Sequence, residues 1–167
     1  MAAIKIDKKA IDRIHRLKGL KKDHLLSFVC ADLSDIARYA LVENEAYRIM
    51  KRLLPGPYTF ILQATREVPK RLQNPKRRTI GLRVPDHPVV AAILEALGEP
   101  IMSSTLQLPD DDLPLTDPHD IEARIGHEIE LIVDAGNPGI EPTSVIDLSG
   151  DGIRILRVGR GDVSSLQ

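Results

Sequence analysis

The sequence predicts a single α/β domain built on one twisted, mixed sheet. Three observations lead there. Short β-prone runs interleave along the chain with amphipathic helical stretches, the order that layers helices over a sheet. The 167 residues suffice for one domain, 1–167, with a sizeable core, and no repeat or linker divides them. Apolar residues make up 43% and charged residues 28%, which excludes disorder as the main description.

The elements follow in order. Asp7 reads as the N-cap of a helix with Ala10, Ile11, Ile14 and Leu17 on one face, ending near Gly19. Leu25–Ala31 reads as a buried strand. Asp32 or Ser34 caps a short helix through Tyr39. Asn44 starts another through Leu53, with Ala46, Ile49, Met50 and Leu53 on one face. Pro55-Gly56-Pro57 stops it, and Tyr58–Ala64 follows as a strand.

Thr79–Val84 is the next strand. Pro88 then opens a helix that ends at Gly98, and Ile101–Thr105 is a short strand. Leu106–Thr116 is a Pro/Asp-rich loop, long enough to suggest a functional role. Asp117-Pro118 opens a helix to about Ile125. Ile129–Asp134, Ser144–Leu148 and Ile153–Val158 read as three closing strands.

Composition narrows the function. Aromatics are 3% with no Trp, so an aromatic platform for stacking bases has almost no material. Cys30 is the one cysteine; it sits in an apolar run and reads as a small buried hydrophobe rather than a nucleophile. His24, His119 and His127 lack the spacing of a metal site, so no metal ligand is assigned. With no signal peptide or membrane-length apolar run, the expected location is cytoplasmic.

Charge is uneven although the net is −1. Lys5, Lys8, Lys9, Arg13, Arg16, Lys18, Lys21 and Lys22 crowd the start against Asp7 and Asp12. A second basic cluster, Arg66, Lys70, Arg71, Lys76, Arg77 and Arg78, precedes the Thr79 strand. Asp110–Asp134 is acidic, with Arg124 its only Lys or Arg. The first cluster is equally well a solvated helix face; the second leans toward a polyanion contact.

Two phrases carry the chemistry. In Thr79-Ile80-Gly81-Leu82-Arg83-Val84, alternation puts Ile80, Leu82 and Val84 on one face and Thr79, Gly81 and Arg83 on the other. That second face is poor core but a good anion floor, because glycine admits close approach and arginine offers a planar fork. The partner phrase, Pro142-Thr143-Ser144-Val145-Ile146-Asp147-Leu148, again sets hydroxyls among core residues. An ion pair with Asp86 is the structural alternative for Arg83. Asp86 and His87 read as the turn and cap before Pro88 rather than an acid–base pair.

These phrases, with Pro55–Leu62, Gly81–Pro88 and Ile155–Gly159, resemble the YrdC-like threonylcarbamoyl-AMP synthase family, and most closely its YciO branch, over about Ile6–Val163. The resemblance implies an α/β fold around a concave, positively charged sheet. It also implies ATP (as a substrate, with Mg2+), L-threonine and bicarbonate as ligands, no tightly bound cofactor, and affinity for double-stranded RNA or tRNA. The product would be threonylcarbamoyl-adenylate, the activated donor for modifying a tRNA adenosine. Positioning and charge neutralisation can carry most of such a transfer.

By resemblance, Lys18, Thr79, Thr105 and Arg157 are expected at the nucleotide. Arg83, Ser104, Thr143 and Ser144 are expected at threonine, Arg83 gripping its carboxylate. Lys70, Arg71, Lys76, Arg77 and Arg78 are the expected RNA contacts. Lys18 alternatively suits a helix C-terminus, and Ser104 and Thr105 could satisfy strand-end backbone. No catalytic residue is assigned.

The sequence departs from the family at three places. The family's opening strand and Pro-Thr-Asp signature have no counterpart, which predicts an unpaired sheet edge and a half-open pocket. Leu20-Lys21 stands where the synthases have Arg-Pro, a loss of roughly 2–3 kcal/mol of phosphate contact. Leu106-Gln107 replaces Ala-Asn. The last two point away from a full-strength synthase. A non-enzymatic, YciO-like double-stranded RNA-binding protein is the alternative, and oligomeric state is left open.

Overall fold

Hydrophobic alternation in the strands builds one mixed sheet of seven strands among the residues that the computed structural model describes, 2–4 (backbone only), 7–20 and 26–166. The strands are β1 (Ala2–Ile4), β2 (Ser27–Val29), β3 (Tyr58–Gln63), β4 (Thr79–Arg83), β5 (Ile101–Ser104), β6 (Ser144–Asp147) and β7 (Arg154–Arg157). Helices α1 (Lys8–Leu17), α2 (Leu33–Tyr39), α3 (Asn44–Leu53), α4 (Pro88–Leu97) and α5 (Pro118–Ile125) connect them. The spatial order is β1-β5-β2-β4-β3-β6-β7. β2–β4 and β3–β6 are parallel pairs, and the remaining neighbours are antiparallel.

The two faces of the sheet differ. One buries Phe28, Phe60, Leu62, Ile80, Leu82, Met102 and Ile146 against α1, α2 and α3. Each such side chain removed from water contributes about 1.5–3 kcal/mol, so this face holds the fold together. The other face has a small cluster, Val29, Leu94 and Ile101, under α4. Ser27, Thr59, Gly81 and Arg83 occupy much of the rest.

Local chemistry sets the helix ends. The Asp32 carboxylate accepts the Asp35 amide at 2.8 Å and starts α2. His87 caps α4 as expected, its Nδ1 accepting the Val89 amide at 3.3 Å, and Gly98 ends that helix at φ +66°. Asp117 accepts the amides of His119 and Asp120 at the start of α5. Asp7 stands at the N-cap of α1 but makes no side-chain cap bond, and α3 starts at Asn44 as expected, with Glu43 as its N-cap.

Several expected elements are shorter. The run from Leu25 narrows to Ser27–Val29; Leu25, like Lys5, Lys21, Lys22 and His24, lies outside the described residues. Ala64 leaves β3 for an isolated bridge to Ala40, while Val84, Thr105, Leu148, Ile153 and Val158 fall just outside their strands.

Two expectations are overturned. Ile129–Asp134 is no strand: Leu131 is 76% and Val133 49% exposed, and the segment joins no ladder among the described residues. Side chains tether it instead. Glu128 and Glu130 pair with Arg16 and Arg13 of α1. Beyond, Asp134 and Asn137 accept the amides of Gly136 and Gly139, both at positive φ, in turns that break the extended run. The acidic block and the first basic cluster therefore neutralise each other in part. The edge beside β5 is also not bare, because Ala2–Ile4 pairs with Met102–Ser104. A three-residue strand is too short to announce itself by alternation.

The chain's last turn is clamped onto the core. Ser144 donates to the Gly161 carbonyl at 2.6 Å and accepts the Gly159 amide at 2.9 Å; Tyr58 donates to the Asp162 carbonyl at 3.0 Å. A Cβ on Gly161 would stand 2.3 Å from the Tyr58 ring, so that close approach requires glycine.

Candidate functional site

The face opposite the main core is floored by cross-strand neighbours. Val29 of β2 aligns with Arg83 of β4, Ser27 with Gly81, Thr59 of β3 with Val145 of β6, and Val145 with Arg157 of β7. Gly81 keeps the floor low: a Cβ there would lie 3.1 Å from Ser27 Oγ and 3.4 Å from Thr59 Cγ2.

Arg83 is the centre of this floor. Its Nε is buried and has no hydrogen-bond partner among the described residues. Burial lowers its pKa from the ordinary value, and Arg157 nearby lowers it further, yet a guanidinium stays charged. The expected alternative, an ion pair with Asp86, is not formed among the described residues. A buried donor without an acceptor costs about 1–3 kcal/mol, more when charged, so the site is set for a ligand to supply the missing acceptor.

Arg157 is aimed by its neighbours. Its Nε donates to the Thr143 carbonyl at 2.9 Å and its Nη2 to Thr143 Oγ1 at 3.2 Å. The Thr143 hydroxyl in turn shares a 2.8 Å hydrogen bond with Thr59. Arg83, Arg157 and Thr143 are thus brought together, and Thr59 joins them. The sequence reading missed Thr59, although alternation along Tyr58–Gln63 sets it opposite Tyr58, Phe60 and Leu62.

Lys18 and Ser104 form a second group, at the end of β5. The Lys18 ammonium, at the C-cap of α1, donates to the Ser104 hydroxyl. Burial holds the Lys18 pKa below its ordinary value. Thr105 is exposed beside them. By alternation Ser104 points to the Met102 side of the sheet, away from Arg83. Thr79 is buried at the start of β4, on the Gly81 and Arg83 face. Ser144 is wholly buried, its hydroxyl engaged by the terminal turn.

The basic stretch divides. Lys70, Arg71, Lys76 and Arg78 are exposed. Arg77 is exposed as well, but its guanidinium is tied down: its Nη2 reaches Asp147 Oδ2 at 2.8 Å and Ser149 Oγ at 2.7 Å. Arg154 reaches the same carboxylate oxygen at 2.6 Å. Burial alone would raise the Asp147 pKa. The Ser149 hydroxyl and amide and the Arg77 guanidinium outweigh it and hold the carboxyl at about 2. Neither Asp147 nor Arg154 was singled out from the sequence.

Paired arginines and hydroxyls on an open sheet face have the chemistry that holds small anions. The particular class is narrower. A family profile described as Sua5_yciO_yrdC, telomere recombination, matches residues 1–159. The chain is 46% identical over 157 residues to YciO of Escherichia coli K12, an uncharacterised protein, covering 94% of this chain and 76% of YciO. It is 30% identical over 162 residues to the threonylcarbamoyl-AMP synthase of Pyrococcus abyssi, covering 95% of this chain and 47% of the synthase.

The chain belongs to the Sua5/YciO/YrdC family. The crystal structure of E. coli YciO superposes with a TM-score of 0.92 at 45% identity, covering 99% of this chain and 81% of YciO. That of P. abyssi Sua5 complexed with L-threonine gives 0.82 at 27% identity, over 92% of this chain and 45% of Sua5. No helix among the described residues is long and apolar enough to cross a membrane.

Proposed function

We propose that this chain is a cytoplasmic protein that binds ATP, L-threonine and bicarbonate and carries out threonylcarbamoyl-AMP synthase chemistry. The observation that carries this reading is Arg83, a buried cation with an unused Nε beside Arg157 on a glycine-floored face. The threonine complex of P. abyssi Sua5 supports it. Arg83 takes the threonine carboxylate, with Thr143 on the same face; Ser104, which points to the opposite side of the sheet, and Ser144, whose hydroxyl the terminal turn occupies, take no part. Lys18, Thr79, Thr105 and Arg157 serve the nucleotide, whose phosphates bring Mg2+ with them.

The chemistry needs little beyond placement and charge. The threonine amine attacks bicarbonate carbon, the C–N bond forms, and water leaves, giving a carbamate. A carbamate oxygen then attacks the α-phosphorus of ATP; the bond to the bridging oxygen breaks and pyrophosphate departs. Negative charge gathers on phosphate oxygens in that step, where a cation of the site offsets it, Arg157 beside Arg83 being the one the geometry favours.

A second reading, double-stranded RNA binding without catalysis, draws on Lys70, Arg71, Lys76 and Arg78, which stand exposed on one stretch. Calorimetric titration of Mg-ATP, with and without threonine and bicarbonate, separates the two. Binding that tightens with threonine supports the synthase reading. No heat from folded protein, with RNA affinity that falls steeply as salt rises, supports the second.

A further inference from the structure

One row of the sheet crosses the floor a single strand repeat from Arg83. Ser103 of β5 aligns with Ser27 of β2, Ser27 with Gly81 of β4, and Gly81 with Ile61 of β3. Directly paired residues share a face, as do residues two apart on a strand, so the whole row stands on the Arg83 side.

Gly81 makes a notch in that row. A Cβ on it would lie 3.1 Å from Ser27 Oγ and 3.4 Å from Thr59 Cγ2, so one small group set over the glycine touches both side chains. The two walls differ in chemistry. The Thr59 hydroxyl is shared with Thr143 Oγ1 at 2.8 Å, and its methyl is the atom that borders the notch. Ser27 presents its hydroxyl instead. That side chain is half-buried, and its Oγ has no hydrogen-bond partner among the described residues. The buried Ser103 beside it spends its own hydroxyl on the Ser27 carbonyl, at 3.4 Å.

The notch is therefore polar on its β2 wall and apolar on its β3 wall. Arg83, with its buried Nε unanswered, stands two residues along β4, about 7 Å in an extended strand. A small ligand that gives Arg83 its carboxylate lays the substituents of its next carbons over Gly81. A hydroxyl there meets Ser27 and a methyl meets Thr59. A ligand with methyls alone would cover the Ser27 hydroxyl with carbon, and a hydroxyl buried without a partner costs affinity.

We propose that the Gly81 notch reads the β-carbon of the bound amino acid, Ser27 hydrogen-bonding its hydroxyl and Thr59 packing on its methyl. The two side chains together select threonine over its isosteres. The proposal rests on the reading above in one respect, the carboxylate on Arg83, and asks nothing of ATP.

The test is calorimetric titration of the full chain with L-threonine, L-valine and L-serine, first without nucleotide and then with Mg-ATP and bicarbonate. Wild-type protein should favour threonine at least tenfold over valine, which exchanges the hydroxyl for a methyl, and over serine, which lacks the methyl. Ser27→Ala removes a hydroxyl that holds nothing else in place, so the chain should melt like wild type. Its threonine-to-valine ratio should fall to within about twofold of one, with valine binding undiminished. Thr59→Ser keeps the hydroxyl for Thr143 and removes the methyl. It should erode the preference over serine and leave the preference over valine. An unchanged threonine-to-valine ratio in folded Ser27→Ala, an unchanged threonine-to-serine ratio in Thr59→Ser, or a wild type that binds all three alike overturns the proposal and leaves the synthase reading standing. Discrimination that follows the two variants, with no tightening by Mg-ATP, does the reverse. No heat with any of the three amino acids, with or without nucleotide, overturns both.

Discussion

Two pairs of arginines stand on the same face of the sheet and are treated in opposite ways. Arg77 and Arg154 converge on one oxygen of Asp147, whose other oxygen accepts the Ser149 amide and hydroxyl. Arg83 and Arg157 meet no carboxylate among the described residues, and Arg83 keeps a buried N–H unanswered. The first pair is complete without a ligand and locks the basic turn to β6 and β7. The second has no such acceptor among the described residues. Residue type says little here; the acceptor beside it decides whether an arginine is structure or function.

The strongest way to break that contrast is Arg83→Ala. Coupled ATP–threonine binding should fall at least a hundredfold, while the denaturant midpoint stays or rises because an unpaired buried cation has gone. A marked loss of stability would instead make Arg83 a structural residue like Arg77. The converse substitution, Asp147→Ala, should cost about 2–3 kcal/mol of stability in denaturant unfolding and leave ligand binding within a fewfold of wild type.

Acid sharpens the same contrast. The Asp147 carboxyl lies at about 2 in the folded chain against an ordinary 3.8, so its contribution is full above about pH 4 and is lost as pH falls toward 2. Unfolding free energy should drop by at most about 2 kcal/mol over that window, since Arg77 and Arg154 are partly solvated. Asp147→Asn should flatten that limb of the profile. The smallest effect is expected from Thr59→Val, which removes one hydroxyl bond behind Arg157. Ligand affinity should fall about fivefold with a stability change near 1 kcal/mol, read by calorimetry and thermal melts.

Much of this was legible in the sequence. Alternation in Thr79–Val84 separates core from floor, and Pro88 with His87 marks the start of α4. The residues singled out as Arg83, Arg157 and Thr143 do meet. What was hidden is long-range pairing. Nothing in the local pattern says that Arg77 bends back to Asp147, seventy residues on, or that Ser144 is taken up by Gly159 and Gly161. Ile129–Asp134 has the composition of a strand, yet ion pairs to α1 and two glycine turns hold it outside the sheet. β-propensity proposes a strand, and only an available edge makes one.

Cys30 gives the molecule a built-in clock. Its amide donates to the Arg83 carbonyl at 2.8 Å, its side chain is wholly buried, and no second thiol exists in the chain to confuse the signal. An alkylating reagent can react there only when the main core opens around the end of β2, next to the residue paired with Arg83. The rate of labelling therefore times the opening of that part of the core, and a ligand that stabilises the folded chain through Arg83 should slow it as its occupancy rises.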